Sequence, residues 1–194
     1  MAQPAHPYRQ PMYPWPAPQD RFTPDDLLDL PSDGHRYEII EGGLHVAPPV
    51  DIAHHEVADE IRAVLKAAAP AGFRAVREIG IQLGDSLVIP DVTVLAPGSP
   101  AEAMWAEAGQ VALVVEVESR GSRKHDRFTK PALYAEAGIG SYWRIERTGA
   151  GPVAHVYEAP SGGHYRHHRA VNPGESHLVE LPYQVQVAPA SWVG

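Results

Sequence analysis

Val111-Ala112-Leu113-Val114-Val115-Glu116-Val117 is an apolar run broken once, by a carboxylate. It lacks the alternation of a half-exposed strand, so it reads as a strand buried on both faces and therefore central in its sheet. An unpaired carboxylate inside such a strand is costly, so Glu116 must be paired, protonated or bound to a cation.

The flanking segments extend this strand into a mixed α+β (or mixed α/β) fold around one sheet, mainly antiparallel and flanked by helices. Upstream, Phe73 to Glu78, Ile79 to Leu83 and Val88 to Leu95 read as strands separated by glycine and aspartate turns. From Asp51 to about Ala69, Val57, Ile61, Val64, Leu65 and Ala68 recur at helical spacing until Pro70-Ala71-Gly72 ends the pattern. Arg36 to Ile40 and Leu44 to Ala47 flank Glu41-Gly42-Gly43 as a hairpin. Thr23-Pro24-Asp25-Asp26 opens a short helix, with a capping residue, a proline in the first turn and acids that suit the helix dipole. Downstream, a helix runs from roughly Asp126 to Ala137 and ends at Gly138, and Tyr142 to Ile145 begins another strand. Val153 to Glu158, Gly163 to Ala170 and Val185 to Val187 add an antiparallel edge.

With 194 residues and 44% apolar content, the chain is long enough for one core and one domain, spanning 21–194. Met1 to Asp20, rich in Pro, Gln and Ala, has no periodic apolar face and reads as a disordered tail. The absence of cysteine removes disulfides, thiolate metal sites and a cysteine nucleophile. No apolar run approaches the roughly 18 residues of a membrane span and no signal segment opens the chain, so the cytoplasm is the default expectation. A net charge of −8 argues against a protein that coats nucleic acid electrostatically. It leaves room for a site of clustered acids, because a bound cation inverts the local charge that a phosphate meets.

Pro90-Asp91-Val92 places a second carboxylate at the mouth of an apolar strand. Asp91 and Glu116 on neighbouring strands suit Mg²⁺ or Mn²⁺, hard cations that take oxygen ligands at about 2.1 Å and keep waters for a phosphate. The Val117 carbonyl is a candidate third ligand. Lys130, at the start of the next helix, could fold back over the strand end to position or deprotonate an attacking water. The reaction class is phosphodiester hydrolysis. Arg120, Arg123, Lys124 and Arg127 form a basic patch beside this site, suited to a phosphate backbone. There is neither a glycine-rich phosphate loop nor a Gly-x-Ser-x-Gly elbow.

Each of these residues also has a plainer reading. Asp91 could cap a turn after Pro90, Glu116 could form a buried salt bridge to Arg123 or Arg144, and Lys130 could be a solvated surface lysine. Glu38, in a half-exposed hairpin strand, reads as solvent-facing. Of the 11 histidines, His54-His55 and the group His164, His167 and His168 invite a zinc assignment, but adjacent histidines diverge on a helix. The later group fits a polar edge strand or loop with Tyr165 as its apolar partner.

Arg36-Tyr37-Glu38-Ile39-Ile40-Glu41-Gly42, His54, Pro90-Asp91-Val92, Val115-Glu116-Val117, Asp126, Lys130, Tyr134, Gly138 and Tyr142-Trp143, in this order and spacing, resemble the Uma family of restriction-endonuclease-like proteins. The resemblance covers about Arg36 to Trp143. It implies the PD-(D/E)xK nuclease core, a mixed sheet flanked by helices, and chemistry by two acids and a lysine with Mg²⁺. By matching position Asp91 and Glu116 are the acids, Glu38 an additional one, and His54 lines the cleft. Where that superfamily places its lysine, two residues after the second acid, this chain has Glu118. The lysine role therefore moves to Lys130. Ser119-Arg120-Gly121 replaces a serine-proline-serine turn, and Pro131 follows Lys130 directly, so the helix either begins near Thr129 or bends there. The expected function is a metal-dependent endonuclease acting on DNA, with homodimerisation suggested by related folds. The alternative is a binding or oligomerisation module that retains the fold without cutting.

Overall fold

A computed structural model describes residues 21–193; the tail expected over 1–20 lies outside them. The short helix α1 (Pro24–Leu28) precedes the hairpin β1 (Arg36–Ile40) and β2 (Gly43–Ala47), followed by the long helix α2 (Ile52–Ala68). The strands β3 (Arg74–Arg77), β4 (Gly80–Leu83), β5 (Ser86–Val88) and β6 (Val92–Leu95) come next, then β7 (Trp105–Glu107) and β8 (Val111–Val117). A π-helical turn (His125–Thr129) leads into α3 (Lys130–Glu136). The chain closes with β9 (Ser141–Thr148), β10 (Gly151–Ser161), β11 (His164–Val171), β12 (His177–Val179) and β13 (Val185–Val187).

The fold class is the expected mixed α+β, but the strands are divided among more than one sheet. A six-stranded sheet has the order β11-β10-β9-β8-β6-β3, and a five-stranded sheet the order β2-β1-β5-β4-β7; β12 and β13 pair by themselves. Pairing is mainly antiparallel, with β8–β9 and β4–β7 parallel. The single strand expected from Val88 to Leu95 is two. Its residues diverge at Ile89-Pro90-Asp91, where β5 joins the hairpin sheet and β6 pairs with β8. A proline, which cannot donate to a ladder, stands at the break.

Strand β8 is interior, between β6 and β9. Its alternate residues serve two cores. Leu113, Val115 and Val117 join α2's Val57, Ile61 and Leu65 on one face. Val114 joins Ile40, Tyr134 and Tyr142 on the other. Full burial of each aliphatic side chain contributes roughly 1.5–3 kcal/mol, so the register of β8 is firmly held. Helix α2 starts at Asp51, whose side chain accepts from the His54 amide at 2.8 Å. The histidine-bearing β11 is a polar edge strand, as expected, with Tyr165 turned inward so that its hydroxyl donates to the Ile139 carbonyl. Among the described residues, no helix is long and apolar enough to cross a membrane.

Candidate functional site

Glu116 projects from β8 on the Val114 face, into the space between the two sheets that α3 closes. It is 1% exposed. Lys130 Nζ donates to Glu116 Oε1 at 2.9 Å and to Glu38 Oε1 at 2.9 Å, and the Tyr134 hydroxyl donates to the same Glu116 oxygen at 2.7 Å. Glu116 Oε2 receives no hydrogen bond from a described residue. The alternative reading of Glu116, a buried salt bridge to Arg123 or Arg144, does not hold. Arg144 stands opposite Glu116 in the β8–β9 register, yet its guanidinium, with those of Arg123 and Arg127, engages Glu118.

Glu38 is buried, contrary to the solvent-facing expectation. It shares the side of β1 that carries Ile40, and that side faces the core around Tyr134 and Tyr142. Its Oε1 also accepts from the Ile89 amide at 2.7 Å, so one acid ties the hairpin to the loop that delivers Asp91.

Asp91, 1% exposed, is not a surface turn cap. Its Oδ2 accepts from the Val117 amide at 2.7 Å and lies 3.3 Å from His54 Nε2, and its Oδ1 is 2.9 Å from Arg36 Nη2. His54 Nε2 is 2.7 Å from the Val117 carbonyl oxygen. Because that oxygen only accepts, Nε2 carries the proton. His54 is therefore buried in the site rather than on the helix surface.

The position of Lys130 follows from local backbone chemistry. Pro131 has no amide hydrogen and sits in the first turn of α3. The helix accommodates it with the π-helical turn, in which the Lys130 amide reaches back to the His125 carbonyl. The Asp126 carbonyl accepts from the Tyr142 hydroxyl at 2.7 Å. Lys130 is thus 2% exposed and aimed inward, rather than solvated.

Burial raises the Glu116 pKa to about 8, with Asp126, Asp91 and Glu38 adding to the rise and the Lys130 ammonium opposing it. Burial likewise lifts Asp126 to about 6 against the pull of Lys130. For Lys130, burial favours loss of the proton, but Glu116, Glu38 and Asp126 outweigh it and hold the ammonium above the usual lysine range. For Asp91, burial is outweighed by His54, Arg36 and the Val117 amide, and its pKa falls below the usual carboxylate range. The pair of acids is therefore split, one held ionised and the other inclined to keep its proton.

Asp91, Glu38, His54, Val117 and Lys130 line one cleft of about 510 Å³, whose walls come from the α1–β1 segment, the β2–α2 loop and Trp105. Glu116 sits behind Lys130. The structure thus gathers Asp91, Glu116, Lys130, Glu38, His54 and the Val117 carbonyl. Arg120, on the loop beyond β8, and Lys124, in the helical turn after it, are exposed; Arg123 is exposed as well but lies 3.3 Å from Glu118, and Arg127 is committed to Glu118 and Glu146. Three participants were not assigned a role from the sequence: Arg36, Tyr134 and Asp126. Asp126, Lys130 and Tyr134 are spaced four apart, a one-face helical pattern that could have revealed two of them. Arg36 has no local signal.

Hard divalent cations require oxygen donors. Among the described residues, no three His, Asp or Glu side chains group as a metal cage. Toward such a cation the site offers the carboxylates of Asp91 and Glu116, the latter with no hydrogen bond on Oε2 from a described residue, and the Val117 carbonyl.

Comparison with known proteins places the chain in a family. Residues 24–190 match the profile of the Uma2 family, described as "Putative restriction endonuclease". A solved structure described as a "putative nuclease belonging to DUF820" from Anabaena variabilis superposes with a TM-score of 0.64 at 21% identity, covering 83% of this chain and 89% of that one. That likeness is one of fold. No curated protein matches the chain in sequence. The profile spans nearly all the described residues, and the chain belongs to the Uma2 family.

Proposed function

We propose that this protein is a divalent-metal-dependent nuclease that hydrolyses phosphodiester bonds, with DNA as substrate. The observation that carries the reading is Lys130, drawn into the cleft beside Asp91 and held 2.9 Å from Glu116. The superfamily pattern would place a lysine at position 118; here a lysine from the next helix stands among the acids instead. The family's description, and that of the similar structure as a "putative nuclease", support the same reading.

Asp91, Glu116 and the Val117 carbonyl would hold Mg²⁺ or Mn²⁺, and the unbonded Glu116 Oε2 fits that donor set. When bound, the cation polarises a phosphoryl oxygen and acidifies water. Lys130 remains an ammonium at neutral pH. It therefore donates hydrogen bonds, orienting the attacking water and offsetting phosphate charge, and it does not act as the base. As the water oxygen bonds to phosphorus, the bond to the leaving oxygen breaks, and the water's proton passes to a carboxylate or to solvent. Glu38 and Tyr134 position Lys130 and Glu116. His54 orders the Val117 carbonyl and Asp91 through the single proton on Nε2. The exposed cations Arg120, Arg123 and Lys124 meet the flanking backbone.

The test is incubation with plasmid DNA and Mg²⁺ or Mn²⁺, with EDTA controls and the variants Asp91→Ala and Glu116→Ala. Cleavage lost in both variants and in EDTA supports the nuclease. No cleavage, together with no metal-dependent rise in Tm, favours the non-cutting module.

A further inference from the structure

The groups that would meet a scissile phosphate are deeply set. Asp91, 1% exposed, and Lys130, 2% exposed, line a cleft of about 510 Å³, and Glu116, 1% exposed, lies behind Lys130. The walls above them are not those of a simple phosphate groove. Trp105, Tyr37, Leu30, Pro31 and Pro48 line the cleft along with the charged residues. A phosphate that reaches Lys130 brings its own sugar and base with it. A base stacked and paired in a duplex cannot follow its phosphate between protein walls, whereas an unpaired or extruded base can.

Trp105 provides a surface for that base. It lies on β7, the edge strand beside β4, and its ring rests on Gly80. A Cβ at position 80 would stand 2.6 Å from Trp105 Cε3, so only glycine lets the indole settle against the β4 backbone. The ring is held against Gly80, and Trp105 is part of the cleft wall. Nucleobases stack on such fixed aromatic faces whatever their identity.

We infer that the cleft takes one unpaired nucleotide, with its base against Trp105 and its phosphate at Lys130, so that the substrate is single-stranded or locally unpaired nucleic acid rather than regular duplex. This inference rests on the nuclease reading for the phosphate end and adds the form of the substrate.

Binding and cutting separate the two. In EDTA, where no cleavage occurs, fluorescence anisotropy compares a labelled single-stranded DNA oligonucleotide with the same strand in a duplex. The single strand should bind at least about tenfold more tightly, and Trp105→Leu should weaken it by about tenfold, the order expected for one lost stacking contact. Trp105→Phe, which keeps an aromatic face, should retain most of the affinity, and Gly80→Ala, which displaces the ring, should lose part of it. With Mn²⁺, a duplex carrying an unpaired bulge should be cut at the bulge and the regular duplex left intact. Equal or tighter duplex binding, or a folded Trp105→Leu protein that binds like the wild type, overturns the inference. Trp105-dependent binding without cleavage of any substrate would leave the pocket standing and sink the nuclease reading. Duplex cleavage indifferent to Trp105 would do the reverse.

Discussion

Lys130 Nζ lies 2.9 Å from Glu116 Oε1, deep between the two sheets, and Glu38 Oε1 lies at the same distance on its other side. One ammonium thus compensates two buried carboxyl groups from different sheets. Removing one partner of a buried pair leaves the remaining charge without compensation, at a cost of about 3–5 kcal/mol. Lys130→Met should therefore lower stability by that order in urea denaturation with EDTA present and should abolish cleavage. A Met variant as stable as wild type would mean that Glu116 and Glu38 do not depend on Lys130.

Stability of the metal-free protein should fall as pH rises through neutrality. Glu116 has a folded pKa of about 8, above its ordinary value of 4.5, so the folded state holds this proton more tightly than the unfolded chain. Its contribution is complete below 4.5 and is lost as pH rises through 8. Asp126, raised from 3.8 to about 6, acts in the same direction over a lower window. Asp91 is shifted the other way, so its contribution is present above 3.8 and is lost in stronger acid. The slope from one such proton is at most about 1.4 kcal/mol per pH unit. Urea midpoints at intervals from pH 5 to 8 should decline for the wild type and flatten in Glu116→Gln, which resembles the protonated acid. An unchanged slope in the Gln variant would place the proton elsewhere.

Arg36 Nη2 sits 2.9 Å from Asp91 Oδ1, where it competes with any cation for that oxygen. Arg36→Gln should destabilise the metal-free protein by about 1–3 kcal/mol, yet strengthen the apparent affinity for Mn²⁺ several-fold when Tm is followed against metal concentration. Weaker Mn²⁺ binding in this variant would show that Arg36 supports the metal site rather than contends with it.

Glu118 occupies the position at which the superfamily pattern carries lysine, but here it is buried and receives Arg123, Arg127 and Arg144. Glu118→Lys would place a fourth cation among three guanidinium groups. Restoring the pattern should not improve activity. It should cost more than about 3 kcal/mol, seen as a sharp fall in Tm or in the yield of folded protein. A stable and more active Lys variant would refute this assignment of roles.

Much of the molecule was readable from local pattern. The uninterrupted apolar run of β8, the helical spacing of α2, the glycine-turned hairpin and the polar character of β11 each follow from side-chain period or turn chemistry. These are properties that neighbours in sequence decide among themselves. Glu116 stood out for the same reason, as a charge where the period demanded none. The order of motifs along the chain carried the resemblance to the family that residues 24–190 match.

What only the tertiary structure decided was partnership. Glu38 reads as solvent-facing in its hairpin and is buried because a second sheet and α3 cover that side. Val88 to Leu95 reads as one strand and divides at Pro90 because its two halves find partners in different sheets. Arg144 faces Glu116 in register but bonds to Glu118, and Lys130 reaches Glu116 because the π-helical turn before Pro131 sets its direction. A strand period shows which face a residue occupies, whereas ion pairing depends on which distant segment covers that face. Burial, which raises the proton affinity of both Asp91 and Glu116, and the contacts with His54, Arg36 and the Val117 amide that overcome it at Asp91 alone, arise only when those segments have come together.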